Sequence, residues 1–146
     1  MYSIPMSIAI KYQIDSTERV VTFREPQAKL PVKLKQQGGQ LMLWGRRMRE
    51  SGHLPFGACA LLEHIQAGQW DEYFPKSVII LANAFMERDI EGVTHWHELI
   101  RGNYLQGILA RHENEYRVYV VTIFPQLPTA TYARWPRIVN SSHPIN

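Results

Sequence analysis

Cysteine is all but absent from this chain of 146 residues, Cys59 being the single one. A disulfide framework and a multi-cysteine zinc site are thereby excluded, and a lone thiol suits a reducing, cytoplasmic setting. No apolar run approaches the roughly 18 residues of a membrane span, so no membrane partner is expected. Met1-Tyr2-Ser3-Ile4-Pro5 lacks the basic flank and long apolar stretch of a signal peptide. Also missing are Gly-x-Gly-x-x-Gly, a Walker-type loop and a Gly-x-Ser-x-Gly elbow. The commonest cofactor and hydrolase signatures are therefore absent, and no cofactor is expected. There is no repeat, low-complexity tract or linker, and the length fits one domain spanning 1–146.

What is present is ordinary globular composition, with 45% apolar and 20% charged residues. Nine glycines and nine prolines favour turns and short strands over long helices. The net charge of +3 is mild, but it is unevenly spread. From Arg24 to Glu50 seven basic residues (Arg24, Lys29, Lys33, Lys35, Arg46, Arg47, Arg49) stand against two acids. From Glu63 to Glu91 six acids stand against Lys76 and Arg88. Such a field can steer an anionic partner to one side of a fold, although solvated surface charge has the same signature.

The patterning predicts strands at Met6–Tyr12 and Val20–Phe23, and an extended Glu25–Pro31 dictated by Pro26 and Pro31. A hairpin is expected with runs Val32–Lys35 and Gln40–Trp44 about a turn at 36–39. Arg46–Gly57 reads as irregular. Ala58, Leu61, Leu62 and Ile65 make one apolar stripe, predicting a helix over 58–67 that Gly68 ends. Ser77–Leu81 reads as a strand buried on both faces and continued by Ala84–Arg88. Further strands are expected at Trp96–Ile100, Tyr104–His112 and Tyr116–Ile123. The sum is an α+β domain, mostly antiparallel sheet, with one or two short helices.

Four features carry candidate chemistry. Trp44-Gly45-Arg46-Arg47 offers an aromatic face for an unpaired base and two guanidinium groups for phosphates, or a core tryptophan with two surface arginines. Glu87 follows a buried run, where desolvation would suit a carboxylate to proton transfer, or else it is a simple ion-pair partner. His95 and His97 project from one face of a strand, as a metal pair would, but no third ligand is spaced to join them, so no metal is expected. Cys59 lies at the start of the predicted helix, where a thiol is activated, or packs between Ala58 and Ala60.

The order of these features resembles the SOS response-associated peptidase (SRAP) family, from about Arg24 to Val139. The family's Ala-Pro-Thr-Gln-x-x-Pro-Val is similar to Glu25-Pro26-Gln27-Ala28-Lys29-Leu30-Pro31-Val32. Its Trp-Gly is similar to Leu43-Trp44-Gly45. Its Cys-Leu-Ile-Pro-Ala-x-Gly-Phe-Tyr-Glu-Trp is similar to Val78–Glu87, its Ala-Gly-Leu-Trp to Gln106-Gly107-Ile108-Leu109, and its His-Asp-Arg-Met-Pro to Tyr132-Ala133-Arg134-Trp135-Pro136. The resemblance implies a β-rich, barrel-like SRAP-type domain with a positive groove for single-stranded DNA. In the family a cysteine directly after the initiator Met attacks an abasic site and forms a DNA–protein cross-link, assisted by a Glu, a His and an Asn.

Departures from that pattern fall on the chemistry. Position 2 is Tyr2, the family's Asn-Ala-Arg falls at Gly57-Ala58-Cys59, and its His falls at Tyr132. Glu87, Trp44, Pro26 and Arg134 remain as equivalents. The resemblance therefore implies a single-stranded-DNA-binding protein without the cross-linking nucleophile. In that reading Arg46, Arg47 and Arg134 hold phosphates, Pro26 and Trp44 form a platform, and Trp44→Ala loses about 1–3 kcal/mol of binding. Two other readings stay open: an enzyme with a re-made site using Glu87 and another nucleophile such as Cys59, and a protein-interaction domain.

Overall fold

The computed structural model describes residues 7–34, 37–125 and 132–140. Strands form where β-branched and aromatic residues alternate between turns. β1 (Ser7–Ile14) and β2 (Thr17–Thr22) make a hairpin closed by Asp15 and Ser16, both at positive φ (50° and 66°). That is the twist a tight two-residue turn requires. β3 (Lys29–Leu34) and β4 (Gln37–Leu43) form the expected second hairpin, with Gly38 and Gly39 already inside β4 rather than in the turn. Of the segment expected to be extended, Lys29–Pro31 is strand within β3, whereas Glu25–Gln27 is a turn. Glu25 folds back so that its carboxylate accepts the Thr22 N–H at 2.6 Å, and Gln27 takes φ 56°.

The helix expected over 58–67 is only half formed. Cys59–Leu61 is a strand, β5, paired in parallel with Val120–Thr122, and the helix α1 covers Leu62–Gln66. Ladder hydrogen bonds to a partner far away in sequence outweigh the apolar stripe there. Gly68 follows at φ 83°, where the sequence placed the stop.

β6 (Lys76–Ile80) and β7 (Ala84–Arg88) are not one continued strand. At Ala82-Asn83 the chain changes sheets: Leu81 N–H still donates to Pro31 of β3, whereas Asn83 N–H donates to Lys11 of β1. β6 alternates buried and half-buried positions. The strand enclosed on both faces is β10 (Glu115–Ile123), buried without interruption from Arg117 to Thr122. β8 (Thr94–Glu98), β9 (Asn103–His112), β11 (Trp135–Pro136) and β12 (Ile138–Asn140) complete the described strands.

One sheet has the order β2-β1-β7-β8, and the larger follows β11-β10-β9-β6-β3-β4, with β12 on β9 and β5 on β10. Pairing is antiparallel except at β5 and at a lone bridge, Trp44 to Val118. Among the described residues the end of β4 meets β10 at that isolated bridge and not along a continuous ladder, so the barrel-like expectation is corrected to two open sheets. The main core lies between them, with Ile10 and Phe85 from the small sheet packed with Leu30, Val32, Ile80, Leu105, Val118 and Val120 from the large one. Alternate residues of β10, Tyr119 and Val121, enter a second core with Leu54, Ala60, Trp70 and Ile108. No helix among the described residues is long and apolar enough to cross a membrane.

Candidate functional site

The register of β7 and β8 places Phe85 opposite His97 and Glu87 opposite His95. Directly opposed residues share a face, so these four side chains leave the sheet together. β1 flanks β7 on its other edge, and its bulge between Ser7 and Ala9 lies opposite Glu87 and Met86. Tyr132 then arrives from a part of the chain 35 residues past His97, and its hydroxyl and His97 Nε2 share a hydrogen bond of 2.9 Å. Phe85 stacks on the His97 ring at 5.4 Å, and Trp135 meets it edge-on at 4.8 Å. His95 turns to Asp89 instead, at 2.8 Å.

Burial shapes the chemistry of this cluster. Glu87 is 1% exposed, and among the described residues no buried side-chain nitrogen or oxygen lacks a partner. Burial, reinforced by His95, holds the His97 imidazole below its usual pKa, so the ring is neutral near pH 7. Burial, then the carboxylates of Asp89 and Glu87, push the Tyr132 phenol above its usual value. A protonated phenol, a neutral imidazole and a carboxylate can pass a proton. The phenol itself stays protonated at neutral pH and is a poor nucleophile in that form.

The other sequence candidates meet different fates. Trp44 is fully buried, its indole N–H donating to the Ala58 carbonyl at 3.0 Å with Phe23 edge-on at 5.5 Å. An enclosed indole has no face for a base, so the platform reading gives way to the core reading. Arg47 directs its donors to Glu50, the Phe23 carbonyl and the Trp44 carbonyl. Arg46 donates to the Glu50 and Leu54 carbonyls. Arg134, 7% exposed, makes a two-pronged bond to Glu63 (2.7 and 3.1 Å) and donates to the Thr122 carbonyl. The three arginines fasten loops and the tail segment, and phosphate holding is not where their donors point. Cys59 sits half-buried in β5, against the main core, rather than at a helix start.

Pro26 is exposed. Its turn is tied to the loop after β4: Gln27 N–H donates to Glu50 Oε2 at 3.0 Å, and Arg47 reaches the Phe23 carbonyl at 2.9 Å. Burial works against ionisation of Glu50, yet the Arg47 guanidinium and the Gln27 and Arg47 N–H groups bring its carboxyl down to about 2. Arg117 closes this network at 2.9 Å, beside a cleft of about 260 Å³ lined by Gln27, Leu43, Glu50, Ser51 and Arg117. The exposed cations on the joined loops and adjoining β3 are Arg24, Lys29, Lys33 and Arg49. Sequence reasoning counted their charge but passed over them for Arg46 and Arg47, and nothing short of the hydrogen-bond pattern separates the two groups.

His95 and His97 leave the same face but bond to different partners, Asp89 and Tyr132. Among the described residues, the His/Cys/Asp/Glu group close enough to hold an ion is elsewhere, at His53, His112 and Glu115. No family model, curated protein or solved structure matches the chain.

Proposed function

We propose that the chain is an SRAP-like protein that binds single-stranded DNA and does not form the cross-link. The observation that supports this reading is that Tyr132 bonds to His97, on the same sheet face as Glu87, close enough for the Glu87 carboxylate to raise the phenol's pKa. The resemblance assigned Glu87 and Tyr132 separately to the family's Glu and His positions. They lie 45 positions apart in sequence, and both belong to the polar cluster around His97. Two positions picked out by motif order alone would not be expected to share one cluster. What the cluster lacks is the family's thiol: the chain's one cysteine is on β5, and the Tyr132 phenol stays protonated.

For DNA contact the reading moves from Arg46, Arg47 and Arg134 to the exposed Arg24, Lys29 and Arg49 around Pro26. Phosphate neutralisation by three cations predicts a log–log salt slope of about −2 for a single strand. Fluorescence-anisotropy titration of a labelled oligonucleotide at several salt concentrations measures it. The variant Arg24→Glu/Lys29→Glu/Arg49→Glu is expected to bind weakly with a flattened slope. Salt-independent binding, or binding unchanged in that variant, would contradict the assignment. An acidic protein that competes with the oligonucleotide while DNA itself binds poorly would favour the protein-interaction reading.

A further inference from the structure

A loop and a hairpin distant in sequence bring two imidazoles and a carboxylate together, well apart in the chain from the Glu87 cluster. His112 ends β9 and Glu115 begins β10, and they face each other directly across the hairpin. Their side chains therefore leave the same face. His53 comes from the irregular loop after β4. Its ring stacks on His112 with centroids 4.4 Å apart and planes at 22°, and its backbone N–H donates to Glu115 Oε1 at 2.8 Å. One ligand atom from each of the three lies within 4.8 Å of the others.

The surroundings fix the carboxylate. Gly52 takes φ 144°, and a Cβ there would come 2.3 Å from Glu115 Oε2, so glycine lets the carboxylate lie against the chain. Arg117 Nε donates to the same oxygen at 2.7 Å, and Arg117 is also paired with Glu50, so two carboxylates balance its charge. Burial opposes ionisation of Glu115, but the His53 N–H and Arg117 outweigh it and hold the carboxyl below its usual value. The Leu54 N–H also donates to this carboxylate, and its two oxygens together offer about four acceptor directions, which leaves room for a cation beside these donors. A ligand already oriented by neighbouring hydrogen bonds is the arrangement that supports metal binding.

Two imidazoles and one carboxylate favour zinc and its neighbours over magnesium or calcium, which take oxygen ligands. Metal–ligand bonds of about 2.0–2.2 Å would draw the three atoms together by about an ångström, a movement open to an exposed His53 and a hairpin end. We propose that His53, His112 and Glu115 form a site for a divalent transition-metal ion such as zinc, clipping the loop after β4 to the β9–β10 hairpin.

Calorimetric titration of the metal-stripped intact chain with zinc chloride tests this. One zinc per chain is expected, with affinity falling about tenfold or more in His53→Ala and in His112→Ala. His64→Ala, on the exposed side of α1, should bind as the parent does. Cobalt(II) gives a second readout: its ligand-field absorption should develop with the parent chain and be lost in both variants. Equal zinc affinity in the parent and both variants, or no binding up to about 1 mM, overturns the proposal.

Discussion

Trp44 shows how one residue can be misjudged from a motif. A tryptophan before Gly-Arg-Arg has the chemistry of a base platform, but Phe23 and the Ala58 carbonyl enclose it. Trp44→Ala should therefore cost about 3–5 kcal/mol of folding stability, read as a drop in urea midpoint, rather than act as a selective binding defect. His97 carries a pH prediction of a definite sign. Its folded pKa lies below the usual 6.5. The unfolded chain thus takes up its proton first, and the stability contributed by the neutral ring is present above pH 6.5 and lost as pH falls toward the folded value. The lowered carboxyls of Glu50, Glu63 and Glu115 act in a separate window, starting at their usual value of 4.5 and extending below it. Urea midpoints measured from pH 7.5 to 5 should decline for the parent and stay nearly level for His97→Gln. An equal decline in both would place the titration elsewhere.

At the scale of elements, the strands were largely legible and their partners were not. Alternation and turn chemistry located β1 to β4 and β6 to β10 to within a few residues. Nothing local marks Asn83 as the point where the chain leaves one sheet for the other, because that depends on the Lys11 carbonyl across the molecule. The helix expected over 58–67 is cut short for the same reason, its first residues being held by β10 while Leu62–Gln66 is helical. The candidate site followed a similar rule. Glu87 and the His95/His97 pair were visible as residues, whereas the Tyr132–His97 contact closes a gap no sequence window spans. Gly45 shows the reverse, a local demand set by distant packing. It takes φ 55°, and a Cβ there would lie 2.0 Å from the Gly57 carbonyl oxygen. Gly45→Ala is expected to lower stability by more than about 1 kcal/mol, since both the strained backbone and the clash must be relieved. A thermal melt of the variant within a degree of the parent would show that the loop yields freely.

Over the whole molecule, the candidate contacts and the candidate chemistry lie in two regions of the chain. Among the described residues, exposed Arg24, Lys29, Lys33 and Arg49 lie on the turn after β2, on β3 and on the loop after β4, other exposed cations such as Arg19, Lys76, Arg88, Arg101 and Arg111 are scattered elsewhere, and Glu87, Asp89, His95, His97 and Tyr132 gather about β7 and β8. The first region offers cations that could neutralise phosphates, and the second holds proton-transfer groups. The proposed function is binding without cross-linking, and one assay reads both properties. The chain is mixed with a labelled single strand bearing one abasic site, and halves of the same mixture are run on native and denaturing gels. The account predicts a retarded band on the native gel and only free oligonucleotide on the denaturing one. A retarded band that survives denaturation, or no retardation on either gel, would contradict it.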